Sequence, residues 1–433
     1  MTDNMRELLR LSFGLAIVLL TLTVSTHGFI PYRCSFQPPS GCSCAYPDRP
    51  RVTCLPDEPL TSFPDITSSM SAINTLDLSD NKIAAINEPV CRNCKSLMTL
   101  ILSNNKLSQV SKDAIRNLAW PATLRYLDLS YNEFSSSNDI DFLKYFADLK
   151  ILKLNNNKLT LFNLKTAKRM PKLRELYLDN NPLSYFGIDS SSLSTLSVSI
   201  DPFNAEFASL SSLDAPNLRS MQMMDTAPSI IDMSWTPTSG LQNLGFENSY
   251  LEDSDLKNYK YNSTGNLVVL SLKENKINLE GKYNYFEAFT RTAKNIQVLD
   301  LSYNKITNIS ADTFKELGNL EVLLLNNNQI NDINWNFLNN LKNLKRLDLS
   351  ENQITTTKDL LKNVEKLRHL HTIKLGNNQF SCNCFNYDLI EIIARQKRGQ
   401  IHILDPLEIR HSLKCANPPD SAGDLLASVS VKC

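Results

Sequence analysis

The sequence is poor in glycine and histidine and has no excess of charge of either sign. Its 433 residues include 12 glycines and 5 histidines, and 45 basic residues balance 45 acidic ones. No Gly-rich loop that would cradle a phosphate is present, which argues against a nucleotide-dependent enzyme. The balanced charge argues against nucleic acid or an anionic membrane surface as a general partner.

Residues that would support catalysis or hold a metal are also few. His369 and His371 fall on one strand face, but no third ligand stands at a suitable spacing, so we interpret both as surface residues. Asp300 and Asp348 are expected to be separated by a strand row and open to water, which argues against general acid–base catalysis. The sequence therefore predicts a protein that is not an enzyme and has no cofactor or metal.

One apolar period, by contrast, recurs along most of the chain. The segment Ile296 to Leu317 reads IQVLDLSYNKITNISADTFKEL, which fits the pattern L-x-x-L-x-L-x-x-N-x-L. Leu299 and Leu301 alternate inward on a short strand, and the side-chain amide of Asn304 can bond the backbone where the strand ends. One such unit cannot bury its own apolar face, so it must stack on another.

The same frame fits about thirteen units, most of them 24 to 27 residues apart. The units begin at Ile73, Leu97, Leu124, Leu149, Leu173, Leu193, Leu218, Leu241, Leu267, Ile296, Leu320, Leu344 and Leu370. The asparagine position holds Asn81, Asn105, Asn132, Asn157, Asn181, Asn275, Asn304, Asn328, Asn352 and Asn378. We therefore predict an α/β solenoid, a leucine-rich repeat horseshoe whose parallel strands form a concave sheet about 60 Å long.

This pattern resembles the extracellular leucine-rich repeat proteins of animals, including the ectodomains of Toll-like receptors. The resemblance covers most of the chain and implies cysteine-rich, disulfide-bonded caps at both ends. The predicted divisions are a signal peptide at 1–28, an N-terminal cap at 29–72, repeats at 73–381 and a C-terminal cap at 382–433.

The first 28 residues have the form of a secretory signal peptide. Arg6 and Arg10 precede an apolar run from Leu11 to Val24, and small residues follow that run. The run is short for a membrane span, and a core helix or a signal anchor is the alternative. No second long apolar run follows, so we expect a secreted protein, or a cell-surface protein if a membrane anchor is missing from this chain.

Four cysteines precede the first repeat, where a solenoid needs a cap over its first strand. In an exported chain they indicate two disulfides in one of three pairings, with a zinc site as the alternative. The family resemblance implies the pairs Cys34–Cys44 and Cys42–Cys54. Cys91 and Cys94, within the repeats, occupy inward positions, so we expect buried apolar residues or a local disulfide rather than a catalytic thiol.

Four further cysteines are Cys382, Cys384, Cys415 and Cys433. The run CANPPDSAGDLL, which begins at Cys415, resembles the C-terminal caps of the same family. That resemblance implies the disulfides Cys382–Cys415 and Cys384–Cys433.

Between residues 193 and 266 the repeat becomes irregular. The apolar frame persists, but the asparagine position holds Asp201, Thr226 and Ser249, whose short side chains bond the backbone less completely. In several Toll-like receptors a similar irregular centre adjoins a ligand pocket. The methionines of this stretch suit an adaptable binding surface, although drift in a tolerant core, with Met221 and Met223 pointing inward, is the plainer interpretation.

The outward positions of the strands identify the candidate binding surface. Repeats three to five present aromatic and basic residues of the types enriched at binding hot spots, namely Arg125, Tyr126, Tyr131, Lys150, Lys153, Arg174 and Tyr177. Repeats ten to twelve present a more apolar patch of Val298, Tyr303, Val322, Leu324 and Arg346. Asn262 and Asn308 are N-glycosylation acceptors, and a glycan at Asn308 would keep a partner from the flank of the solenoid.

These features predict an extracellular recognition module that binds a protein or another macromolecule through its concave face. The resemblance implies an innate immune receptor ectodomain of the Toll-like kind or a soluble relative. Its expected partners are an extracellular protein or a microbial ligand, with homo- or heterodimerisation to pass the signal. A structural or adhesive matrix protein that does not signal is the alternative.

Overall fold

The computed structural model describes most of the repeat region and parts of both caps. The described residues are 36–45, 50–55, 57–66, 70–116, 118–163, 170–200, 213–226, 240–256, 266–279, 285–381, 386–399 and 403–415. The predictions for the signal peptide and for Cys34, Asp201, Asn262, Cys382, Cys384 and Cys433 lie outside these residues.

The described secondary structure consists mainly of short strands at regular intervals. The strands are β1 (Cys42–Ala45), β2 (Arg51–Cys54), β3 (Thr75–Asp77), β4 (Ala85–Ile86), β5 (Thr99–Ile101), β6 (Gln109–Val110), β7 (Tyr126–Asp128), β8 (Ile151–Lys153), β9 (Leu161–Asn163), β10 (Glu175–Leu183), β11 (Tyr185–Asp189), β12 (Thr195–Ile200), β13 (Leu213–Asp214), β14 (Ser220–Met224), β15 (Asn243–Glu247), β16 (Val269–Ser271), β17 (Val298–Asp300), β18 (Asn308–Ile309), β19 (Val322–Leu324), β20 (Asp332–Ile333), β21 (Arg346–Asp348) and β22 (Thr372–Lys374). The α-helices are α1 (Asp253–Leu256), α2 (Tyr285–Thr290), α3 (Leu360–Val364), α4 (Tyr387–Lys397) and α5 (Pro406–His411), and 3-10 helices span Trp120–Ala122, Asp141–Tyr145 and Trp335–Asn340. Among the described residues, no helix has the length and apolar character that crossing a membrane requires.

Fifteen strands form one sheet in the order β1-β2-β3-β5-β7-β8-β10-β12-β14-β15-β16-β17-β19-β21-β22. β1 runs antiparallel to β2, and β2 runs parallel to the first repeat strand, β3. Each later strand of this sheet begins two residues after the first apolar residue of a predicted repeat. The prediction of a leucine-rich repeat solenoid with a parallel sheet is therefore confirmed. Smaller sheets, β4-β6, β9-β11-β13 and β18-β20, lie outside this main sheet.

The core runs continuously from one repeat to the next. The first apolar residue of every predicted unit is buried, and so are the inward leucines Leu299 and Leu301. Aromatic rings roof the core on the side away from the main sheet: Phe314 packs edge-on against Phe286 at 6.0 Å and against Phe337 at 5.8 Å. Because each ring contacts the ring of the next repeat, the roof joins neighbouring units as the sheet does on the other side.

A ladder of buried asparagines closes each repeat after its strand. Asn304 shows the pattern: its Nδ2 donates to the carbonyl of Leu272 in the preceding repeat at 2.8 Å and to that of Leu301 at 3.1 Å. Its Oδ1 accepts the backbone N–H of Ile277 at 3.0 Å. Burial leaves such backbone groups without water, so the side-chain amide supplies their partners and fixes the spacing between repeats.

In the irregular centre, hydroxyl groups replace the amide and make fewer bonds. Thr226 Oγ1 donates to the carbonyl of Met224 at 2.9 Å and accepts the N–H of Ile200 at 3.3 Å. Ser249 Oγ donates to the carbonyl of Glu247 at 2.9 Å and accepts the N–H of Thr226 at 3.3 Å. Thr226 and Ser249 therefore bond the backbone less completely than the asparagines, as the sequence predicts. The bonds that they accept are also longer, at 3.3 Å, than the 3.0 Å bond that Asn304 accepts.

Disulfides and a helix cover the two ends of the solenoid. Cys42 and Cys54 are bonded to each other across β1 and β2, and Cys44 and Cys415 are also in disulfides. At the other end α4 buries Leu389 and Ile392, and Leu404 bridges to Ile373 on the last strand. Within the repeats, Cys91 and Cys94 form a local disulfide and are both buried, in agreement with their inward positions.

Candidate functional site

The register of the main sheet places outward side chains in straight rows across the concave face. Tyr126 on β7 pairs with Ile151 on β8, and Asp128 pairs with Lys153. One strand further, Lys153 pairs with Tyr177 on β10. Because successive residues of a strand point to opposite faces, these residues share the surface opposite the leucine core.

Lys153 lies between two tyrosine rings at the centre of the predicted binding patch. Its Nζ is 5.6 Å from the ring centroid of Tyr126 and 5.7 Å from that of Tyr177. An ammonium at this distance from an aromatic face is attracted by the ring, and about a third of the lysine side chain remains exposed. We call Tyr126, Lys153 and Tyr177 the aromatic cluster.

Carboxylates hold the rings of the aromatic cluster in place. The hydroxyl of Tyr126 donates to Asp128 Oδ2 at 3.1 Å, and that of Tyr177 donates to Glu175 Oε2 at 3.0 Å. Burial, reinforced by Asp128, raises the pKa of Tyr126 well above its usual range, and burial and Glu175 do the same for Tyr177. Both hydroxyls therefore stay neutral hydrogen-bond donors, and Lys153 Nζ also lies 3.8 Å from Asp128 Oδ2.

The remaining residues of the predicted patch, three cations and Tyr131, lie at opposite edges of the sheet. Arg125, Lys150 and Arg174 each directly precede a strand, and Arg219 occupies the same position before β14. We call Arg125, Lys150, Arg174 and Arg219 the basic ridge. Tyr131 lies beyond the other end of β7, where it is 56% exposed and has a left-handed backbone with φ of 54°. The structure thus divides the predicted patch into a cluster, a ridge and an isolated tyrosine.

The second predicted patch forms an apolar strip on the same face. Val298 on β17 pairs with Val322 on β19, Val322 pairs with Arg346, and Leu324 lies in the next row opposite Asp348. These side chains are half-buried. Tyr303 stands at the strand-end edge, 47% exposed, with Lys273 Nζ 5.5 Å from its ring centroid.

The concave carboxylates are engaged in turns, which corrects the expectation that they are open to water. Asp348 is buried, and its Oδ1 accepts both the backbone N–H and the hydroxyl of Ser350. Asp300 has the same relation to Ser302, and burial raises its pKa above the ordinary value. The LDLS run common to these repeats builds a side-chain turn, so these carboxylates complete the backbone at the strand end.

The centre of the concave face holds a buried polar group that the sequence did not reveal. Gln222 is 2% exposed and lies flat over Gly245, where a Cβ would come within 1.9 Å of its Oε1. Ser271 Oγ donates to Glu247 Oε1 at 2.8 Å, and burial raises the pKa of Glu247. The available signal was Gly245 itself, because glycine within a strand often marks a close approach by another group.

Asn308 lies away from this surface, whereas His371 directly precedes β22 and stands at the same edge of the main sheet as the basic ridge. Asn308 is exposed on β18, in the two-stranded sheet that it forms with β20, and its side chain faces Asp332 at 3.3 Å. The Nδ1 atom of His371 contacts the carbonyl of His369. Across the described part of the chain, no group of three or more metal-ligating side chains converges.

Parallel strands about two dozen residues apart, joined by an asparagine ladder, define a leucine-rich repeat solenoid. The chain belongs to the leucine-rich repeat family. A family model described as Leucine rich repeat matches residues 71–134, 122–183, 287–330 and 318–380, and a second one matches 172–196. The residues between 197 and 286, which no match covers, include the stretch where Thr226 and Ser249 replace the ladder asparagine.

The proteins similar to this chain agree on the repeat fold, but they do not agree on one function. Acidic leucine-rich nuclear phosphoprotein 32-related protein 2 of Caenorhabditis elegans is 46% identical over 59 residues, which is 13% of this chain and 26% of that protein. Nephrocan of Mus musculus is 37% identical over 65 residues, 15% of this chain and 12% of that protein. The mouse RP105 chain of an RP105/MD-1 complex superimposes with a TM-score of 0.56 at 19% identity, covering 84% of this chain and 55% of that one. The chain thus spans about half of RP105, and its matches cover about a quarter or less of the curated relatives.

Proposed function

We propose that this chain is an extracellular recognition module that binds a macromolecular ligand, above all a protein, through its concave face. The observation that carries the proposal is the aromatic cluster, in which two tyrosines and one lysine are held by carboxylates on a rigid sheet. Tyrosine supplies contact area at a low cost in conformational entropy, and hydrogen-bonded rings are ordered before a partner arrives. The carboxylates described on this face bond to turns, to tyrosine hydroxyls or to a serine, so we propose that the face acts by binding.

Within this class, the function favoured is that of an innate immune receptor ectodomain of the Toll-like kind, or of a soluble relative. The likeness in fold to RP105, a Toll-like receptor relative that was crystallised with the protein MD-1, supports this assignment. A second chain, like or unlike, would transmit the signal by pairing with this one. The microbial or host ligand would contact the concave face.

The second candidate is an adhesive or structural matrix protein. The observation that favours it is the continuous sheet of fifteen strands, which offers an attachment surface without requiring a second chain. The two candidates differ in the consequence of binding: a receptor needs a coupled partner chain, whereas a matrix protein needs only a stable attachment.

Location and modification belong to the same proposal. The predicted signal peptide at 1–28, the disulfides of the caps and the predicted acceptors Asn262 and Asn308 together favour a secreted or cell-surface protein. Asn308 is exposed on a strand outside the main sheet, so a glycan there would leave the concave face open.

The test is capture of partners from extracellular fluid by the secreted chain and by a variant of the aromatic cluster. The variant combines Tyr126→Ala, Lys153→Glu and Tyr177→Ala. The matched control combines Thr372→Ala with Lys374→Glu, which changes the same two rows of the sheet at its last strand. We expect the cluster variant to lose a specific protein that wild type and control both retain. Equal capture by all three proteins would remove the aromatic cluster as the binding site.

A further inference from the structure

The basic ridge is a row of cations at one position of four repeats. The backbone sets its spacing: the carbonyl of Arg125 accepts the N–H of Lys150 at 2.9 Å, and that of Lys150 accepts the N–H of Arg174 at 2.8 Å. Ser194 continues the row to Arg219 through bonds of 2.8 and 2.9 Å. Four strand steps of about 4.8 Å give the ridge a length of about 19 Å.

The ridge differs from the other cations of this face because its charges are not paired. Arg51 lies 2.8 Å from Asp77, and Lys345, which occupies the ridge position in a later repeat, lies 2.6 Å from Glu321. Among the residues that the structure describes, none of the four ridge side chains has a carboxylate within ion-pair distance.

One carboxylate, Asp148, lies beside the ridge without neutralising it. Its pKa is lowered first by a hydrogen bond from Lys172, with which it forms a 2.7 Å ion pair, and further by Arg125 and Lys150. Lys172 therefore compensates Asp148, and the net charge of the ridge stays positive in a chain whose overall charge is zero.

We propose that the basic ridge binds a sulfated polysaccharide along the edge of the main sheet. A linear chain with fixed anions can meet the three successive cations Arg125, Lys150 and Arg174 and then, beyond Ser194, Arg219. Guanidinium groups bind sulfate oxygens through paired hydrogen bonds. Nucleic acid fits less well, because its bases need exposed aromatic rings to stack on. The rings of Tyr126 and Tyr177 are instead taken up by contact with Lys153. The choice of a polysaccharide rests on the proposed extracellular location.

The experiment measures binding of a heparin octasaccharide to the purified full chain over a series of NaCl concentrations. The ridge variant combines Arg125→Gln, Arg174→Gln and Arg219→Gln, all of them at exposed positions. The control removes three lysine charges elsewhere, through Lys158→Gln, Lys305→Gln and Lys345→Gln. At about 0.1 M NaCl we expect the ridge variant to bind at least tenfold more weakly, about 1.4 kcal/mol, and the control to bind within about twofold of wild type.

Three results would overturn the proposal: no binding by wild type, equal affinity of the ridge variant and wild type, or an equal loss in the control. A single-stranded oligonucleotide of equal charge that bound as tightly as heparin would overturn the choice of a polysaccharide. A variant with only Tyr126→Ala and Tyr177→Ala, which leaves the charge of the face unchanged, should keep its heparin affinity. Because heparin binding and protein capture use different variants and different ligands, the failure of one proposal is distinguishable from the failure of the other.

Discussion

Replacing Asn304 by alanine tests whether the asparagine ladder holds the repeats together. The substitution removes the acceptor for the buried N–H of Ile277 and the donors to the carbonyls of Leu272 and Leu301. Leaving a buried backbone group without a partner costs about 1–3 kcal/mol. Both carbonyls keep a second donor, because Leu272 accepts from Asn275 Nδ2 and Leu301 accepts from Asn328 Nδ2, each at 3.0 Å. The Ile277 N–H is therefore the group left without a partner, and together with the weakened carbonyl bonds it predicts a loss of about 2–3 kcal/mol in the free energy of unfolding.

Ser249→Ala is the matched comparison, because Ser249 stands at the ladder position of an irregular repeat. Its hydroxyl makes one donated bond at 2.9 Å and one accepted bond at 3.3 Å. The accepted bond is long, so its loss costs less, and we expect a loss of about 1.5 kcal/mol. The prediction is the order of the two losses as well as their size.

The assay is urea unfolding of the full chain with its disulfides intact, followed by circular dichroism. Hydrogen exchange at Ile277 adds a local readout, because its amide should lose protection in the Asn304→Ala protein and keep it in the Ser249→Ala protein. If both variants lose the same free energy, or if the Ile277 amide stays protected without its acceptor, the ladder does not provide the stabilisation that we assign to it.

Three further changes probe the roof and the centre of the concave face. Phe314→Ala should cost about 3–5 kcal/mol in urea unfolding, because it empties a fully buried site between two other rings. Gly245→Ala should cost about 1–3 kcal/mol by displacing Gln222, and Gln222→Ala in the same chain should recover part of that loss in a double-mutant cycle. Glu247→Gln should raise the thermal midpoint at pH 7. Burial raises the folded pKa of Glu247, so the folded state binds more protons than the unfolded state, and wild-type stability falls as pH rises above about 4.3. The gain should vanish in scans below that pH, and equal midpoints at pH 7 would contradict it.

The period of the sequence was sufficient to predict the architecture because inward positions repeat. The residues equivalent to Leu299, Leu301 and Asn304 have the same structural role in every regular unit. A single frame therefore locates the strand, the core and the asparagine ladder. The same frame correctly placed Met221, Met223, Cys91 and Cys94 in the interior. The solvation of Asp300 and Asp348 was misjudged because the frame marks a position as outward and says nothing about the serine two residues later that covers the carboxylate.

Outward positions are not constrained by the period, so the binding surface was only partly predictable. Arg125, Tyr126 and Lys153 all count as outward in the frame, yet only the register of the sheet separates a ridge at its edge from a cluster on its face. Gln222 and Gly245 also count as outward, and the structure buries both. Among the described residues, the outward row of the sheet is therefore closed at Gly245 by the side chain of Gln222. A ligand that reached the strand surface at Gly245 would have to displace Gln222, whereas a ligand of the aromatic cluster meets rings already in position. Pre-organisation of this kind lowers the cost of association, which is why we assign recognition to the cluster and not to the centre.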